Sequence, residues 1–170
     1  MAEDPETEEQ HWLSSEELLQ WRAVMGLVMT LPAALDAQLK KEAGLNTFEY
    51  HVLVELAETS EGSRVMSMLA AFTRGSLSRL SHAVSRLEAA GWVERRACGG
   101  AGRRTEVLLT DAGRQKLRDS APGHVREARR LVIDALSGEQ LQQLGAAARA
   151  IVAVTDPEIA ATLPEPPASS

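Results

Sequence analysis

Ser76-Leu77-Ser78-Arg79-Leu80-Ser81-His82-Ala83-Val84-Ser85-Arg86-Leu87-Glu88-Ala89-Ala90-Gly91 is the stretch whose reading decides the fold. Leu77, Leu80, Val84 and Leu87 recur at helical spacing, which predicts a helix with one narrow apolar stripe. At about 100° of turn per residue, Ser78, Ser81, His82 and Ser85 share the opposite, exposed side, with Arg79 and Arg86 along its edge. Small hydroxyls let a helix approach the floor of a major groove, and arginine pairs with guanine O6 and N7 or holds phosphate. Ser76 is placed to cap the helix and Gly91 to stop it. Taken alone, the segment also reads as a solvated surface helix, so its neighbours decide between the two.

Upstream, residues 67–72 predict a short helix, and Thr73-Arg74-Gly75 has the length of a helix-turn-helix turn. Downstream, residues 92–97 and 105–109 have strand composition and flank Cys98-Gly99-Gly100-Ala101-Gly102-Arg103-Arg104, a hairpin with a cationic, glycine-rich tip. Arg103 or Arg104 at such a tip suits the enhanced negative potential of a narrow minor groove. The 170-residue chain is acidic, with 18 Lys and Arg, 24 Asp and Glu and a formal charge of -6. From Arg64 to Arg118, however, eleven basic residues stand against four acidic ones. The positive charge is therefore concentrated where the motif lies, as phosphate binding by counterion release requires.

Helix, turn, helix and basic hairpin, in that order, resemble the MarR family of bacterial transcription regulators. The resemblance runs from Trp21 to Val154 and includes Thr47-Phe48-Glu49-Tyr50-His51-Val52-Leu53, Trp92-Val93-Glu94-Arg95-Arg96 and Leu109-Thr110-Asp111-Ala112-Gly113. It implies a mainly α winged helix-turn-helix lobe with a β-hairpin wing and a helical dimerisation lobe. It also implies a homodimer that binds a palindromic operator on double-stranded DNA, in a family whose members often release DNA when a small-molecule effector binds; repression by occupying a promoter or operator is expected ahead of activation. Carried onto this chain, Ser78, Arg79, Ser81 and His82 face bases and Arg86 supports a backbone contact. Arg103, helped by Arg104, reaches the minor groove, and Ser76 and Ser85 complete the DNA-binding set. Two positions depart from the pattern. Ala101-Gly102-Arg103 lacks the acid that usually orients the wing arginine, which implies a looser wing contact. Met68 stands where an acidic residue commonly favours a helix start. A candidate site for such an effector falls where the first helix meets the DNA-binding lobe, where Trp21, Arg22, Met25, Met29 and His51 combine apolar walls with polar handles. Methionine and tryptophan at helical spacing are also what a simple core contains.

The expected organisation is a flexible acidic segment at 1–12, an N-terminal helical dimerisation segment at 13–46 and the winged helix-turn-helix lobe at 47–110. C-terminal dimerisation helices at 111–155 and a flexible Pro-rich tail at 156–170 follow. Leu18, Trp21, Met25, Val28, Pro32, Leu35 and Leu39 form an apolar seam along the first helix, with a kink or interruption expected at Pro32. Ser14-x-x-Glu17 and Ser137-x-x-Gln140 predict capping boxes. Leu141, Leu144, Ala148 and Ile151 give the last helix an apolar face, and both terminal faces need partners within the chain or across a two-fold axis. No apolar run of membrane-spanning length and no signal peptide is read, so no membrane partner is expected. The lone Cys98 excludes an intrachain disulfide and fits the cytoplasm.

His11, His51, His82 and His124 lack metal-ligand spacing, so neither a metal nor another cofactor is expected. Ser81 and His82 are adjacent without an orienting acid, and no phosphate-binding glycine loop occurs, which argues against an enzyme. Two rival readings remain: a winged helix that binds an acidic protein, and a redox-responsive regulator using Cys98 with Arg95, Arg96 or Arg103 lowering its thiol pKa. Against the second, an inert cysteine in a hairpin is the simpler reading.

Overall fold

The computed structural model describes residues 12–98 and 104–164. Helix α1 (Ser15–Ala43) starts at the expected capping box: Ser14 Oγ accepts the Glu17 N–H at 3.2 Å and the Glu17 carboxylate accepts the Ser14 N–H at 2.7 Å. It ends at Gly44, whose φ of 66° closes the helix in the left-handed conformation. The interruption expected at Pro32 does not occur, because α1 runs through that position as one helix. Proline deprives the Val28 carbonyl of its helical donor, and Val28 lies exposed, so water can satisfy it.

Helix α2 (Thr47–Ala57) opens with a second capping box, Asn46 and Glu49, and Asp36 of α1 accepts the Thr47 N–H at 2.9 Å. Strand β1 (Ser63–Val65) leads into α3 (Met66–Phe72), the turn, α4 (Leu77–Ala89), β2 (Val93–Cys98) and β3 (Arg104–Leu109). The helix α3 begins one residue before its expected start and has no side-chain cap and no acid in its first turn, in keeping with Met68. β3 is central in an antiparallel sheet of order β1-β3-β2, with Ser63 opposite Leu108, Val93 opposite Leu109 and Cys98 opposite Arg104. Leu39, Leu45, Val52, Leu53, Leu56, Leu69, Leu80, Val84, Leu87 and Val107 form the core between α1, α2, α3, α4 and this sheet.

The Leu-Thr-x-x-Gly motif has a packing explanation. Thr110 Oγ1 donates to the Gly91 carbonyl at 2.7 Å and accepts the Gly113 N–H at 3.0 Å, capping α5 (Asp111–Ala128) against the turn that ends α4. A Cβ at residue 113 would stand 2.0 Å from the Trp92 carbonyl oxygen, so only glycine lets α5 seat there.

A π-helical turn (Arg129–Ile133) follows α5, and α6 (Gly138–Thr155) begins at the expected capping box of Ser137 and Gln140. Instead of an irregular tail from Asp156, the chain makes a helical turn, α7 (Pro157–Ala160), capped by Asp156. α6 buries none of its residues, and over most of its length α1 leaves its apolar face uncovered, including Leu18, Trp21, Val24, Leu27 and Val28. By length and composition, α1 also contains an 18-residue window apolar enough to cross a membrane, with mean hydropathy 1.4. The expectation of no apolar run of membrane-spanning length is corrected to that extent: the window reaches the length and the average hydropathy, with polar residues inside it.

Candidate nucleic-acid interface

Helix α4 is seated by Leu80, Ala83, Val84 and Leu87, all at most 1% exposed. Leu77 belongs to the same periodic stripe but is 57% exposed, because the core begins one turn further along the helix. Ser76 caps the helix by accepting the Arg79 N–H at 3.1 Å, and Gly91 stops it with a φ of 76°. In the preceding turn Arg74 takes a left-handed φ of 51°, and Gly75 lets the backbone pass the Phe48 ring, which a Cβ would meet at 2.5 Å. Ser76, Ser78, Arg79, Ser81, His82, Ser85 and Arg86 are all exposed and belong to this one helix and its cap.

Their partners differ. The Arg79 guanidinium lies 4.3 Å from the centroid of the Phe48 ring, and a cation held over a ring is pre-positioned by it. The Arg86 Nε donates to Glu49, a buried carboxylate of α2 that also accepts the Asn46 N–H at 2.9 Å. Ser85 Oγ donates to the Ser81 carbonyl at 2.9 Å and accepts from Arg95 of β2 at 3.0 Å. Ser78 and His82 occupy the middle of the outward face. Arg104, the first residue of β3, is exposed. Arg103 and the wing tip at 99–103 lie outside the described residues, as does the side chain of Cys98.

The sequence-predicted effector residues do not share one hollow. A concavity of about 560 Å³ is lined by His51 together with Pro32, Asp36, Lys40, Phe48, Arg79 and Arg86. Trp21, Arg22, Met25 and Met29 do not line it; Trp21, Arg22 and Met29 are exposed on α1 and Met25 is half-buried. Desolvation holds the His51 imidazole below its ordinary pKa. His124 of α5, 4.7 Å from the Tyr50 ring, is lowered for the same reason and further by His51. Among the described residues, no group of three or more His, Cys, Asp or Glu side chains is placed to hold a metal ion.

Several contributors were not read from the sequence. Glu49 and Phe48 lie more than thirty residues from the arginines they hold, a pairing that no local period reveals. Arg95 pairs with Glu88, the one acidic residue of α4, with 2.8 Å between Nη1 and Oε2. Only that charge complementarity across the Gly91 turn gave a signal. Arg74 of the turn donates to Asp156 at 2.6 Å, tying the start of α7 to the helix-turn-helix.

A short helix, a three-residue turn, an arginine-flanked second helix and a two-stranded hairpin define a winged helix-turn-helix protein. No family model and no curated protein matches the chain. Solved structures do. Sco3205, a MarR family transcriptional regulator from Streptomyces coelicolor solved in complex with DNA, is 40% identical over 89% of this chain and 94% of its own, with a TM-score of 0.82. AbsC, a MarR family transcriptional regulator from the same organism, is 34% identical over 87% of this chain and 99% of its own, with a TM-score of 0.79. A mutant MarR from E. coli complexed with operator DNA shares the fold at 17% identity and a TM-score of 0.69, over 84% of this chain and 99% of that one. The protein belongs to the MarR family of transcriptional regulators.

Proposed function

We propose that the protein is a sequence-specific DNA-binding repressor that reads a pseudo-palindromic operator as a homodimer, by binding and without catalysis, in the cytoplasm where that DNA lies. The observation that carries this reading is the outward face of α4, where Ser78, Ser81 and His82 stand exposed between the flanking Arg79 and Arg86. The DNA complex of Sco3205 supports it. Ser78, Arg79, Ser81 and His82 enter the major groove, Arg86 meets the backbone, and Arg103 and Arg104 reach the minor groove. A second copy supplies the second half-site about 34 to 36 Å away. The uncovered apolar faces of α1 and α6 support an intertwined dimer, because burying them removes from water leucine, valine and tryptophan surface that, among the described residues, no element of the same chain covers. The segments 13–46 and 111–155 are thus the dimerisation lobe and 47–110 the reading lobe.

An effector, on this reading, enters the hollow at His51 rather than the upper half of α1. Lys40, Arg79 and Arg86 favour a small aromatic acid there, and occupancy draws Arg79 and Arg86 away from DNA. The test is fluorescence anisotropy with DNA flanking the protein's own gene against a scrambled duplex of equal length, over a salt series. Tight, salt-sensitive preference for the native fragment supports the reading. Equal weak binding to both, together with equal weak binding to duplexes selected from a random pool, overturns it in favour of a protein-interaction module.

A further inference from the structure

Arg95 lies on β2, outside the residues assigned to DNA, yet it grips the recognition helix at several points. Its backbone N–H donates to Glu88 Oε1 at 3.0 Å and its Nη1 to Glu88 Oε2 at 2.8 Å. Its Nη2 donates to the Ser81 carbonyl at 2.8 Å and to Ser85 Oγ at 3.0 Å. One planar guanidinium thus spans two turns of α4, a geometry that the single ammonium of lysine cannot reproduce. On the other flank, Arg86 ties α4 to Glu49 of α2. Between these ties the helix rests on a narrow seat of Leu80, Ala83, Val84 and Leu87, and non-directional apolar packing does little to resist rolling about the helix axis.

We infer that Arg95 is a positioning residue for DNA reading: it fixes the roll of α4 against the wing, and so decides which side chains face the groove. The inference rests on the operator-reading function proposed above. It also changes the role of Ser85. That hydroxyl donates to Ser81 and accepts from Arg95, so it belongs to the brace and not to the base-reading set. Ser78, Ser81, His82 and Arg79 remain as readers. The brace runs from the wing strand to the recognition helix, so it also couples the minor-groove contact to the major-groove one.

The test uses the full chain and a duplex enriched by it from a random-sequence pool, compared with a scrambled duplex of the same length. The variants are Glu88→Gln, Arg95→Ala and Arg95→Lys, each checked by circular dichroism for a wild-type spectrum at the assay temperature. A brace predicts that Glu88→Gln lowers affinity for the enriched duplex at least tenfold, although it removes a negative charge near DNA. Affinity for the scrambled duplex then stays within about twofold. Arg95→Lys loses specificity much as Arg95→Ala does, while keeping the wild-type salt slope. A direct phosphate contact predicts the opposite on each count. Glu88→Gln binds as tightly as wild type or tighter, Arg95→Lys is rescued, and Arg95→Ala weakens both duplexes alike and lowers the salt slope by about one per subunit. That set of results overturns the inference. A pool from which nothing is enriched overturns the operator-reading function itself, and the brace falls with it.

Discussion

Replacing Arg86 with alanine perturbs a pair whose two members sit in very different surroundings. The Arg86 side chain is 60% exposed, whereas that of Glu49 is 7% exposed. Deleting the arginine strands a buried carboxylate that keeps only the Asn46 N–H as a partner. Leaving a buried polar group short of a partner costs roughly 1 to 3 kcal/mol, and more for a charged group. The retained Asn46 bond places Arg86→Ala within that range. Glu49→Gln instead leaves an arginine that water solvates, and replaces the carboxylate by an amide that can still accept the Asn46 N–H. Its expected cost is about 0.5 to 1.5 kcal/mol. At about 2 to 4 °C per kcal/mol for a chain of this size, Arg86→Ala lowers the melting temperature by roughly 2 to 12 °C. The variant at the exposed site is thus the more damaging one, against the usual rule for surface arginines. The assay is thermal unfolding of both single variants and the double variant, all at one protein concentration because association raises apparent stability. The double variant should cost about 1 kcal/mol less than the two singles together. A loss below about 0.5 kcal/mol for Arg86→Ala, the ordinary surface value, refutes the reasoning.

Gly113→Ala pushes a methyl into the Trp92 carbonyl and the Leu109 side chain, so thermal unfolding should report a loss of roughly 1 to 3 kcal/mol; wild-type stability would show that α5 does not seat as described. Because His124 titrates below its ordinary value of 6.5, the unfolded chain binds more protons beneath that pH. Stability should therefore hold above about 6.5 and fall as pH drops from there towards the folded value. Denaturant titrations of His124→Gln should be flatter across that window, and an unchanged slope counts against a role for His124. Arg103→Ala should weaken operator binding and reduce the salt slope by about one per subunit; an unchanged slope removes the wing arginine from the contact set.

The winged helix was legible from residues 74–109 because its signals are local. Ser76 and Gly91 cap and stop α4, segments of strand composition flank a glycine-rich stretch, and elsewhere Ser14 and Ser137 mark helix starts through side chains that bond three residues away. Three-residue β1 was missed, since Ser63-Arg64-Val65 becomes a strand only by pairing with β3 more than forty residues later. Leu77 was misplaced for a related reason. Periodicity gives the direction of a side chain but not how far the core extends along the helix. The exposed candidates on α4 were found from spacing, but Glu49, Phe48 and Arg95, which hold them, come from other elements. The hollow at His51 could not be foreseen either, because it joins residues of α1, α2 and α4 that only the tertiary fold brings together.

The central place of β3 has a consequence for biosynthesis. β1 and β2 each pair with β3, and Val107 on that strand is wholly buried among residues made long before it. While the chain emerges from the ribosome, α2, α3 and α4 therefore face water without their lid until residues 104–109 arrive. At about 5 to 20 residues per second, that interval lasts only seconds, but during it the leucines of three helices have no sheet to cover them. The reading lobe closes on its last strand, so a substitution in β3 that leaves the finished protein stable can still lower the yield of folded chains.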